Sequence, residues 1–149
     1  MRIRGIPRWR ADGGSSMIEF SLIAFMFIIV LLGVVEMGRM VLVYTTVANA
    51  ARAGARYAIV HGADQTVSSS GPGNPCTCTQ VHTVVKNFAS AGLVNTGLLT
   101  ISVNYPDSTN TPGSRVSVTV AYPYDPLVKY FSSLLNQTLG STSEGVITY

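Results

Sequence analysis

Gly13-Gly14-Ser15-Ser16-Met17-Ile18-Glu19-Phe20 leads into Ser-Leu-Ile-Ala-Phe-Met-Phe-Ile-Ile-Val-Leu-Leu-Gly-Val-Val, which ends at Val35. The order is small residues, one carboxylate, then an uncharged apolar run. A membrane-crossing helix needs about 20 apolar residues. Phe20–Val35 falls short, and Met17-Ile18 and Met37–Val43 extend it around Glu19 and Glu36. A charge at the centre of a bilayer costs at least roughly 2.5–3.5 kcal/mol, so a carboxylate on the edge of such a run needs a reason.

Before this stretch lie Arg2, Arg4, Arg8 and Arg10, opposed by Asp12. Basic residues stay on the cytoplasmic side, so the N-terminus is expected inside and the rest exported. The net charge of +3 comes from this leader. Without residues 1–14, six basic and six acidic residues remain. That balance leaves no electrostatic footprint for nucleic acid. At 149 residues, 47% hydrophobic and 11% charged, the chain suits one small domain on a membrane anchor.

Three readings compete for residues 1–35. A secretory signal peptide has the basic start, but the small-x-small match Ala48-Asn49-Ala50 lies well beyond the apolar run. A plain membrane anchor accounts for the apolar run and leaves Glu19 unexplained. The third reading cuts before the run, after Gly14, leaving Glu19 fifth and Phe20 sixth in the mature chain. This arrangement resembles the processing site of type IV pilins and their relatives. Gly14 lets a peptidase approach the backbone closely. Cleavage before Ser15 leaves a positive amine there. The resemblance implies that the Glu19 carboxylate pairs with such an amine on a neighbouring subunit, because a buried charge needs a partner.

No proline or turn cluster interrupts Ser15–His61. One helix of about 45 residues, roughly 67 Å long, is expected there. Val41, Tyr44, Ala48, Ala51, Ala55 and Ala58 alternate at three and four, which predicts the core-facing stripe. Thr45, Asn49, Arg52 and Arg56 form a polar stripe. Ala50, Gly54 and Ala58 make a small-residue ladder along which a second backbone can approach. Glu36 and Arg39 are an i, i+3 pair, suited to a surface contact or to a neighbouring helix.

Glu19-Phe20, the apolar run, Val35-Glu36-Met37-Gly38-Arg39 and Ala50-Ala51-Arg52-Ala53-Gly54-Ala55-Arg56-Tyr57-Ala58 together resemble the TadE-like family. These are pseudopilins of the tight-adherence, or Flp-type, pilus system. The resemblance covers about residues 13–60. It implies a minor pilin-like subunit; the residues themselves offer no set that argues for an enzyme, a cofactor or a metal. A prepilin peptidase would process it. It would work with other pilin subunits, an inner-membrane platform and a secretion ATPase. It would span the inner membrane once, with a periplasmic or extracellular C-terminal domain.

The exported part, residues 62–149, begins with a loop rich in Ser, Gly and Pro. Cys76-Thr-Cys78 follows, with too few ligands for a structural metal site. A local disulfide is favoured over a bond to another chain or a redox motif, because the exported compartment is oxidising. Gln80–Ala91 reads as a short amphipathic helix facing inward through Val81, Val84, Val85, Phe88 and Ala89. His82 and His61 are expected at the solvated surface. Leu99–Tyr105 and Arg115–Tyr122 alternate and form an antiparallel hairpin around a turn-rich loop at 106–113. Leu127–Leu135 suggests a short helix or apolar loop, and Leu139–Tyr149 a last strand. Tyr122, Tyr124 and Tyr130 are expected as buried edge aromatics. The plan is α+β and pilin-like: a long N-terminal helix on a small antiparallel sheet. No catalytic set stands out. The alternative to a pilus subunit is a membrane-anchored binding module displaying a loop such as 106–113.

Overall fold

The computed structural model describes residues 12–62, 78–92, 95–127 and 136–148. Helix α1 spans Asp12–His61, 50 residues without a break. By its contacts the chain divides into Met1–Met37 and Gly38–Tyr149. The division falls inside α1, whereas the sequence placed a boundary after His61.

In the first unit the helix meets nothing from the chain along most of its surface. Met17, Ile18, Phe20, Phe25, Phe27 and Val34 are all exposed. Ser21 Oγ donates to the Ile18 carbonyl at 2.8 Å, so its hydroxyl is satisfied within the helix. This helix is long and apolar enough to cross a membrane, and it fits a single-pass anchor.

The second unit is a two-layer α+β body. The rest of α1 and helix α2, Thr79–Ala89, form one layer. Strands β1 (Thr100–Asn104), β2 (Arg115–Pro123) and β3 (Thr138–Val146) form the other. The sheet is antiparallel throughout, in the order β1-β2-β3. Val103 faces Val118 and Ile101 faces Val120 across the hairpin that the alternation predicts. Val116, Val118 and Val120 point inward with Val47, Val81 and Val85, all fully buried. Burying a valine is worth roughly 1.5–3 kcal/mol, so these six dominate the core.

The buried stripe of α1 is Val43, Val47, Ala50, Ala51, Gly54, Ala55 and Ala58. Ala51, Ala55 and Ala58 lie where the spacing put them. Val41 and Tyr44 do not: they are exposed, and Ala48 is half-buried. The three-four alternation admits two stripes about a third of a turn apart. The sheet and α2 select the one with smaller side chains. On α2, Val81, Val85 and Ala89 are buried, while Phe88 is exposed rather than in the core.

The far end of the body is fastened by backbone groups. Strand β3 stops at Val146, short of the expected end at Tyr149. The Ile147 amide donates to the Ser114 carbonyl, and the Ile147 carbonyl accepts from Gly113. The Thr148 amide donates to the Ile59 carbonyl at 3.2 Å, and Asn110 Nδ2 donates to the Gly62 carbonyl. The end of α1 thus satisfies its outward carbonyls with groups from the sheet and its loop. Gly113 allows the chain to turn there with a φ of 94°.

Candidate processing and assembly site

Gly14 and Ser15 lie in the first turns of α1 and are exposed. The space where a Gly14 side chain would stand is open. Each glycine weakens a helix by about 1 kcal/mol relative to alanine, so the Gly13-Gly14 turn opens easily. Glu19 and Phe20 follow one turn later, also exposed. The residues one turn either side of Glu19 are Ser15, Ser16, Leu22 and Ile23, and none carries a side-chain charge.

Glu36 is buried, at 6% exposure. Arg39 reaches a segment 86 residues away: Nη1 donates to the Asp125 carbonyl at 3.0 Å. Its guanidinium carbon lies 5.2 Å from the centre of the Tyr124 ring. Tyr122 and Tyr124 are buried core aromatics, as the sequence suggested, and Tyr130 lies outside the described residues. Sequence spacing carries no signal for the Arg39 contact.

The ladder Ala50, Gly54 and Ala58 is buried in this chain's own body. A side-chain carbon at Gly54 would lie 2.5 Å from Val85 Cγ2, 3.3 Å from Val118 Cγ1 and 3.4 Å from Val81 Cγ1. What approaches here are the valine side chains of α2 and β2. Arg52 and Arg56 remain exposed, and Arg52 donates to Asn49 Oδ1 at 3.1 Å.

Cys78 is buried and disulfide-bonded. Cys76, its expected partner, lies outside the described residues. The two histidines are not simply solvated. His61 is half-buried, stacked on Tyr57 at 4.2 Å between ring centres. His82 is half-buried with Nε2 fully enclosed and unpartnered. Enclosure, and secondarily the Lys86 charge, lower its pKa. The period of α2 misplaced it because the residue points along the helix edge.

Within the 106–113 loop, Asp107 accepts from the Arg115 amide at 2.9 Å and pairs with its guanidinium through both oxygens. These bonds hold the Asp107 carboxyl below its usual range and the Arg115 guanidinium above its own. Ser114 Oγ bonds Thr109 and Thr111, and Asn110 is buried. Such a loop is internally fastened.

The family model described as TadE-like protein matches residues 14–56. The match contains Gly14–Phe20, the apolar run and most of the Ala/Arg/Gly block. Neither a curated protein nor a solved structure matches the chain.

Proposed function

We propose that this chain, whose TadE-like segment links it to tight-adherence pilus systems, is a minor pilin-like subunit cut after Gly14 by a prepilin peptidase. The observation that carries this reading is where the family match begins: at Gly14, the residue before the cut in the motif. The leader keeps its arginines in the cytoplasm. The apolar part of α1 holds the subunit in the inner membrane, and the body lies on the other side. Glu19 supports an assembly role because its turn offers no opposite side-chain charge and an apolar setting demands one. Its partner is the new amine of a neighbouring subunit. The assembly platform and the secretion ATPase act on the subunit from the membrane and the cytoplasm.

Co-expression with the prepilin peptidase, followed by intact mass and N-terminal sequencing of the membrane fraction, tests the reading. The mature chain should begin at Ser15. A chain that keeps Met1, or begins near Ala51, overturns it.

A further inference from the structure

The stretch of α1 just inside the body has a surface unlike the rest of the body. From Met40 to Ala51 there is no ionisable side chain except the Tyr44 phenol. Val41 is 60% exposed, Leu42 54% and Tyr44 50%. At 100° per residue they cover an arc of roughly 160° around the helix. The Thr45 hydroxyl in this arc, and that of half-buried Thr46 at its edge, turn back to the helix: both Oγ1 atoms donate to the Leu42 carbonyl, at 2.9 and 2.8 Å. Ser21 uses the same device on the apolar segment. Side-chain donors bonded back to their own helix suit a surrounding that offers few acceptors. Polar side chains resume at Asn49 and Arg52.

A second segment of the body meets this end. Arg39 holds the Asp125 carbonyl and the Tyr124 ring, so the segment after β2 lies beside the start of the patch. Two residues further on, Leu127 is 74% exposed. Asp125 is exposed between them. One arginine and one exposed aspartate amid apolar side chains and a half-exposed tyrosine are the composition of a headgroup layer, not of a hydrocarbon core.

We propose that this end of the body, formed by Val41, Leu42, Tyr44 and Leu127 around Arg39, is seated in the interface of the membrane that α1 spans. The inference rests on the membrane reading of the apolar segment. Continuity argues for lipid as the occupant. Helix α1 runs unbroken from the apolar run through Gly38 and Leu42. From Gly38 to Leu42 the helix rises about 6 Å, close to the depth of one headgroup layer. The opposite end of the sheet, where Arg115 faces Val146, lies a full strand length away.

Single-tryptophan variants of the full chain test this in phosphatidylethanolamine/phosphatidylglycerol vesicles with acyl chains brominated near the headgroups. Trp9, the chain's one tryptophan, is first replaced by phenylalanine. Leu127→Trp and Tyr44→Trp should emit to the blue and lose most of their intensity. Val146→Trp should emit as in water, and Phe27→Trp should be buried in lipid. If Leu127→Trp is quenched no more than Val146→Trp while Phe27→Trp emits to the blue, the seating is wrong and the span stands. If Phe27→Trp emits as in water, the membrane reading fails and the seating with it. Blue emission at Leu127→Trp that bromine leaves intact and that reddens on dilution into more lipid assigns the patch to a second copy, which also overturns the proposal.

Discussion

Between Met17 and Val35, α1 turns phenylalanines, isoleucines and leucines outward with almost nothing of the chain against them. Between Ala50 and Ala58 it turns alanines and a glycine inward against valines. The two stretches belong to one helix and differ in what must fit against them. A fluid or exchangeable neighbour adapts to large side chains, so size there maximises apolar contact. A fixed sheet and a fixed second helix do not adapt. There, Val81, Val85 and Val118 pack directly against the α1 backbone at Gly54, and small residues on α1 are the condition for it. Residue size along α1 therefore reports the kind of neighbour, where hydrophobicity alone does not.

Glu19→Ala is the sharpest way to separate the two stretches. On the assembly reading, incorporation into the pilus fails altogether, while cleavage and the body's unfolding midpoint stay as in the parent. Immunoblots of sheared pili against whole membranes, with thermal unfolding of the same variant, check both halves of that expectation. Normal incorporation would remove Glu19 from the assembly role.

Gly54→Leu attacks the other stretch. The new side chain would have to occupy the space of Val85 and Val118. Overpacking a filled core costs typically 1–3 kcal/mol, and with a 2.5 Å approach at the first carbon the upper end, about 3 kcal/mol, is expected. Gly33→Leu, with open space around it, should leave the body unchanged. Denaturant titration of the two variants measures the difference. Equal stability would mean that the small residues serve something other than the core.

Arg39→Ala follows with a smaller effect. It removes a hydrogen bond worth about 1 kcal/mol and a cation–ring contact worth about 0.5–1 kcal/mol. Destabilisation of about 1–2 kcal/mol is expected by denaturant titration, with faster amide exchange in residues 124–127. Arg39→Lys should restore only part of it, because a lysine keeps the charge and loses the planar fork.

The comparison also explains what could be read from the sequence. The long helix, both hairpin strands and the last strand follow from periods and from proline and glycine placement, which are local quantities. The choice between the stripe with Val41 and Tyr44 and the stripe with Val43 and Val47 was not legible. It depends on which face the sheet accepts, and both faces satisfy the helical period. Arg39 with Tyr124, Asn110 with Gly62 and Thr148 with Ile59 join residues far apart in the chain, and no spacing rule reaches them. The position of His82 failed for a related reason. Its side chain lies at the margin of the α2 stripe, where neighbouring elements decide whether it is covered.

His82 gives the smallest and most specific effect. Enclosure of Nε2, helped by Lys86 one turn on, lowers its pKa below 6.5 in the folded chain. The unfolded chain takes up a proton near pH 6.5, and the folded chain does so only at lower pH. Protons therefore favour unfolding in that interval. The stability due to neutral His82 is complete above about pH 6.5, declines as pH falls through that value, and stops declining below the folded pKa. Unfolding midpoints from about pH 7.5 to about pH 5 should drop modestly in the parent, and His82→Gln should flatten that part of the profile. The Asp107 carboxyl, held low by Arg115, acts in a separate window. Its contribution is present above the usual carboxylate pKa near 3.8 and is lost below it. A decline near neutral pH that survives His82→Gln would assign it to another group and leave the enclosed nitrogen without thermodynamic weight.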